Sequence, residues 1–223
     1  MTTFPIILSA PSGGGKTTIT KELLARRTDL GYSVSATTRS PRHAEAEGRD
    51  YHFLSHADFI ARQQAGEFAE WAEVHGKLYG TLRSEVDRVL DSGRHVIMDI
   101  DVQGAAKFAA AFPASVLIFL VPPSAEVLIR RLMARRTEKA PDLLVRLETA
   151  KRELEAVHRY EYVVVNADLG QAVRETSAII DAESLKRVRT PAMGERVRGL
   201  VDGLDREIAG LRLQSPGEVV PRC

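Results

Sequence analysis

The apolar run Phe4-Pro5-Ile6-Ile7-Leu8 opens directly into Ser9-Ala10-Pro11-Ser12-Gly13-Gly14-Gly15-Lys16-Thr17, and an amphipathic stretch from Thr18 to Arg26 follows at once. A buried strand, a glycine loop and a helix beginning at lysine form the arrangement that wraps a polyphosphate. Glycines let backbone N–H groups converge on phosphate oxygens with no Cβ in the way. Lys16 brings a mobile positive charge, and the Thr17 hydroxyl suits Mg²⁺. Ala10, Pro11, Ser12, Gly13, Gly14, Gly15, Lys16, Thr17 and Thr18 are therefore expected to hold the phosphates of a nucleotide. One departure stands out, because Ala10 occupies the place where this pattern usually opens with glycine.

The rest of the chain supplies the sheet that such a loop requires. Strands are expected at Pro5–Ser9, His95–Ile100, Ser115–Val121 and Tyr162–Asn166, the last three as continuous apolar runs suited to burial on both faces of a parallel sheet. Helical patterns lie between them at Lys16–Arg26, Leu82–Asp91, Gln103–Ala111, Ala125–Arg135, Leu143–Arg159 and Gly170–Lys186. That alternation predicts a doubly wound α/β core. With 223 residues, 44% hydrophobic and 27% charged, the chain has the composition of a globular protein able to bury a substantial interior.

A net charge of +1 gives no general basic excess, so nucleic acid is not an expected partner and anion binding must be local. The single cysteine, Cys223, rules out an intrachain disulfide and suits a reducing compartment. No apolar run approaches the roughly 20 residues that cross a bilayer, and the N-terminus lacks the basic start of a secretory signal. The expected location is the cytoplasm, with no membrane partner.

Residues 33–81 break the strand–helix rhythm. They carry short β-prone pieces (Tyr32–Ala36, Asp50–Phe53, Phe68–Val74), turn signals and several aromatics, and read as an inserted small α/β subdomain that binds a substrate. A polar, cationic stretch from Arg135 to Pro141 reads as a lid, spanning about residues 135–145. The expected domain is thus 1–189, with a core of 1–32 and 82–189. Residues 190–223 form an extension in which Val197, Leu200, Val201, Leu204, Ile208 and Leu211 make one apolar helical stripe. That stripe suits either packing on the core or a homo-oligomer contact, and Gln214–Cys223 reads as a loose tail.

Phosphate loops serve many chemistries, so other residues must choose among them. Asp99-Ile100-Asp101 ends a core strand at the carboxyl edge, where Asp99 and Asp101 are candidates for Mg²⁺ or a substrate hydrogen bond; for Asp101, capping the next helix is a credible alternative. Asp101-Val102-Gln103-Gly104 matches the DxxG element of GTPases, but no Asn-Lys-x-Asp accompanies it. The arginines point elsewhere. Arg39 and Arg42 flank Pro41, Arg135 and Arg136 lie in the lid, and Arg146 falls beyond it. Guanidinium groups clamp phosphates in oriented pairs, which transfer between two phosphorylated compounds requires.

Taken in order, Ser9–Thr17, Ser35–Arg42, Gly48-Arg49-Asp50-Tyr51-His52-Phe53, Glu70-Trp71-Ala72, Tyr79-Gly80-Thr81 and Asp99–Gly104 resemble the guanylate kinase family, over roughly Phe4 to Lys186. Alanine at position 10 is a familiar variant there. The resemblance implies ATP, with Mg²⁺, as phosphoryl donor and GMP or dGMP as acceptor. It implies that the insertion binds GMP, with Ser35, Arg39, Arg42, Tyr51 and Tyr79 on its phosphate. Glu70 and Thr81 would then read guanine, with Asp99 near the base. Lys16 and Thr17 match the ATP phosphate and magnesium positions, Asn166 a position near adenine, and Arg135 and Arg146 the lid arginines on the transferring group. Arg136 falls where the family often has glycine.

The chemistry of these positions is coherent by itself. Guanine offers N1–H and a 2-amino group side by side, and one carboxylate accepts both, whereas adenine would leave that carboxylate unpaired. Two other readings carry distinct signatures. A phosphopeptide-binding module of this fold would show a degenerate phosphate loop, and a kinase for another phosphorylated acceptor would have no use for Glu70 and Thr81.

Overall fold

The computed structural model describes residues 2–74, 76–133 and 140–214, with side chains for all of these except 140–142 and 214. Along the chain run β1 (Pro5–Ser9), α1 (Lys16–Arg26), β2 (Leu30–Tyr32), β3 (Ala36–Thr37), β4 (His52–Phe53), α2 (His56–Gln64), β5 (Phe68–Val74) and β6 (Lys77–Leu82). There follow α3 (Arg83–Asp91), β7 (His95–Asp99), α4 (Val102–Ala111), β8 (Val116–Val121), α5 (Ala125–Met133), α6 (Ala140–Glu155), β9 (Tyr162–Val165), α7 (Leu169–Ser184) and α8 (Pro191–Gln214).

Five strands form a parallel sheet in the order β2-β7-β1-β8-β9. The apolar run of β1 is continuous because both faces are covered. Phe4, Ile6 and Leu8 pack with Ile19 and Leu23 of α1 and with Ala172, Val173 and Ile180 of α7. Ile7 faces the opposite side, with Val86 and Val89 of α3 and Ala105 and Phe108 of α4. The chain builds outward on one side of β1 and later on the other, so a crevice opens outside its carboxyl end. Register sets what meets there: Leu8 pairs with Asp99, Ser9 with Phe119 and Val121 with Val165.

The insertion forms a second sheet in the order β4-β3-β6-β5, with β3 parallel to β4 and antiparallel to β6. Phe59 of α2 stacks on Phe68 at 4.3 Å between ring centroids, within a small core that includes Ala36, Leu78 and Leu82. Helix α2 starts where Ser55 Oγ accepts the Asp58 N–H at 3.0 Å. The β-prone stretch Tyr32–Ala36 is divided between the two sheets. Its first residue closes β2 at the edge of the core, and Ala36 opens β3. Gly31 permits the core part, because a Cβ there would lie 2.5 Å from Val89 of α3.

Leu128 and Leu132 of α5 pack against Ala150, Leu147 and Leu154 of α6. Between these helices lie residues 134–139, so the expected lid arginines Arg135 and Arg136 fall outside the described residues. Packing separates Thr3–Asp181 from a second unit made of Thr2 and residues 182–214. Composition put this boundary later, after Arg189. In the second unit Glu183 pairs with Lys186 and Arg189, and the stripe of α8 from Val197 to Leu211 is exposed. No helix among the described residues is long and apolar enough to cross a membrane.

Candidate active site

The loop between β1 and α1 has the backbone that its glycines predict. Gly13 and Gly15 have φ of 79° and 95°, in the left-handed region that side chains disfavour. Gly14 is required for space: a Cβ would sit 2.5 Å from the Ala10 Cβ and 2.9 Å from the Pro11 carbonyl oxygen. Alanine at position 10 therefore fits while position 14 stays bare. Lys16 Nζ reaches back across the loop to the Ala10 carbonyl at 2.8 Å.

Three contacts from distant segments fasten this loop. Asn166, at the end of β9, donates its Nδ2–H to the Gly14 carbonyl at 2.8 Å. Glu153 of α6 accepts the Ser12 N–H at 2.8 Å, and Arg146 of the same helix reaches Ser12 Oγ at 3.4 Å. Burial pushes the Glu153 carboxyl above its ordinary range, while the Ser12 N–H and the Lys16 charge pull it down. The geometry thus gives Asn166 a part in shaping the loop, beyond the adenine-side role expected of it.

Asp99 and Thr17 come together as a hydroxyl–carboxylate pair, with Thr17 Oγ1 donating to Asp99 Oδ2 at 2.7 Å. Oxygen donors of this kind suit a hard divalent cation that keeps several waters and phosphate oxygens of its own. Asp101 is occupied differently. Its Oδ1 caps α4, accepting from Gln103 N at 2.9 Å and Gly104 N at 2.7 Å. Among the described residues no group of three or more His, Cys, Asp or Glu is arranged around a metal position.

Beside the loop, a cleft of about 200 Å³ lies between the insertion and the ends of β7 and α4, lined by Ser35, Tyr51, Glu70, Tyr79, Asp99 and Asp101 among others. Glu70 is the buried charge in it. Thr81 Oγ1 donates to its Oε1 at 2.8 Å, and desolvation outweighs that bond, holding the Glu70 carboxyl above the usual carboxylate range. A Cβ at Gly104 would meet Glu70 Oε2 at 3.0 Å, so the glycine opens α4 to the carboxylate. Tyr51 and Tyr79 meet edge to face at 6.1 Å, and the Arg39 guanidinium lies over the Tyr51 ring at 5.4 Å. The Arg42 side chain is exposed.

Several neighbours are absent from the motif reading. Glu45 grips Arg39 through two bonds of 2.9 Å and also accepts the Arg42 N–H at 2.7 Å, so one carboxylate organises both arginines. Those bonds hold its carboxyl below the ordinary range. Its place in Arg39-Ser40-Pro41-Arg42-His43-Ala44-Glu45 was the available signal, since two clustered arginines call for a counter-charge. Arg131 donates from Nη2 to the Asn166 carbonyl at 3.0 Å, while its buried Nη1 has no partner among the described residues. An orphaned guanidinium nitrogen beside a phosphate loop suits an anionic ligand.

Comparison with known proteins agrees with this geometry. The guanylate kinase family model matches residues 2–183. A guanylate kinase of Thermotoga maritima is 44% identical over 197 residues, covering 88% of this chain and 95% of its own. One of Maricaulis maris is 43% identical over 198 residues, covering 88% and 91%. The crystal structure of guanylate kinase from Anaplasma phagocytophilum superposes with a TM-score of 0.68 at 33% identity, covering 84% of this chain and 89% of that one. A fastened phosphate loop and a carboxylate-floored cleft beside it, on a chain matched over most of its length, place this protein in the guanylate kinase family.

Proposed function

We propose that this chain transfers the γ-phosphoryl group of ATP to GMP or dGMP, reversibly, and that it does so in the cytoplasm, whose reducing conditions suit a chain with one cysteine. The observation that carries the reading is Glu70, a carboxylate sunk in a cleft beside a phosphate loop and tied to the Thr81 hydroxyl. A buried carboxylate costs free energy unless a ligand supplies donors, and guanine supplies two at the right separation.

In this reading the loop from Ala10 to Thr18 holds the ATP phosphates, with Lys16 released from the Ala10 carbonyl to meet them. Arg131 is an additional candidate on the donor side. Ser35, Arg39, Arg42, Tyr51 and Tyr79 hold the GMP phosphate, and Glu70 with Thr81 reads the base. Thr17 and Asp99 would hold Mg²⁺, which when bound neutralises charge on the donor phosphates. The acceptor phosphate needs no general base, because its second pKa is about 6 and it is already largely dianionic near neutral pH. What this chain contributes is alignment and positive charge: Lys16, Arg39 and Arg146 surround the transferring group, joined in the expected lid by Arg135.

The test is ADP formation from Mg²⁺–ATP with GMP, dGMP, AMP or no acceptor. Rapid turnover with GMP and dGMP but little with AMP is expected. ADP released equally without an acceptor would overturn the reading in favour of an ATPase.

A further inference from the structure

The Asp99 carboxylate is held from two sides, and only one of them belongs to a nucleotide motif. Its Oδ2 accepts the Thr17 hydroxyl at 2.7 Å, and its Oδ1 accepts the Tyr32 hydroxyl at 2.8 Å. The three residues come from three elements: Thr17 from the first turn of α1, Asp99 from the end of β7, and Tyr32 from the end of β2. Pairing of β2 with β7 sets Tyr32 opposite Ile97, two residues short of Asp99. The tyrosine ring packs against the cluster around β1 and α1, so its hydroxyl is the polar tip of an otherwise fixed side chain.

Proton accounting fixes the direction of each bond. An ionised carboxylate has no proton to give, so both hydroxyls donate to it. Thr17 commits its proton to Asp99 and keeps its oxygen lone pairs available to a cation. That arrangement holds only while the carboxylate is prevented from turning about its Cβ–Cγ bond. Tyr32 is the donor in its bond, and its ring, held in the core cluster, fixes the direction from which that bond comes.

We propose that Tyr32 is a positioning residue for the cation: it locks Asp99 so that the Thr17 hydroxyl presents its oxygen, not its proton, to Mg²⁺ on the phosphate loop. The proposal rests on the phosphoryl-transfer reading for the identity of the cation complex, and it gives Tyr32 no contact with either nucleotide. Groups that orient a ligand from behind typically change metal affinity or activity by about 10–100-fold when removed.

The test is Tyr32→Phe, which removes one hydroxyl and leaves the ring. Mn²⁺ binding in the presence of a non-hydrolysable ATP analogue, followed by the electron paramagnetic resonance signal of free Mn²⁺, should weaken about tenfold. The Mg²⁺ concentration giving half-maximal turnover should rise by a similar factor, while KM for GMP and the melting temperature stay near wild type. Unchanged Mn²⁺ affinity overturns the proposal, whether melting falls (a purely structural tyrosine) or KM for GMP rises (Asp99 serving the base). The Mn²⁺ titration needs no GMP, so it decides the role of Tyr32 even if the wild-type chain fails to turn over GMP.

Discussion

Glu70 shows how a single residue ties stability to recognition. Burial raises its pKa, so the folded chain holds that proton more tightly than the unfolded chain does. Stability contributed at this position therefore falls as pH rises from about 4.5 towards the raised value. Guanine donors favour the ionised form, so base binding should tighten over that same window and level off above it. Calorimetric titration of GMP from pH 4.5 to 7 should show this for wild type, whereas Glu70→Gln should keep only the phosphate's own titration. The same substitution should erode GMP-over-AMP preference by roughly 1–3 kcal/mol, and an undiminished preference would remove Glu70 from base reading. Residues in contiguous motifs, such as Lys16, Thr17 and Glu70, could be nominated from the sequence. Tyr32, Glu153 and Arg131 were not, because each acts on a partner 35 to 141 positions away. Only folding makes those pairs neighbours.

At the scale of elements, long continuous apolar runs and long helical periods were readable, and short pieces were not. Strand β2 has three residues, too few to show a period, and its pairing with β7 decides its state. Helix α2 was hidden inside a region read only as mixed α/β, although Ser55-His56-Ala57-Asp58 carries a capping signature that its structure uses. Helix α2 matters because the insertion has its own small core. Phe59 is fully buried there, and Phe59→Ala should cost about 3–5 kcal/mol. Since α1, α7 and the core sheet do not share that cluster, damage should be local. GMP affinity should fall steeply while binding of an ATP analogue is largely retained, as titration of each nucleotide alone would reveal. Equal loss of both would mean that the insertion and core unfold as one.

On the scale of the whole molecule, alternation of strands and helices was enough to predict a doubly wound sheet, and the strand order put the loop at its switch point. What alternation did not reveal is how α6 joins the loop. Ser12 is gripped by Glu153 through its N–H and by Arg146 through its hydroxyl. Free-energy linkage makes such a grip reciprocal. Occupancy of the loop should slow hydrogen exchange in α6, and Glu153→Gln, which touches no phosphate in this reading, should weaken an ATP analogue by the factor by which the analogue stabilises the α6 contact. The helix is thus a reporter of loop occupancy built from the chain's own hydrogen bonds, and a probe placed on its outer face would register the arrival of a nucleotide it never meets.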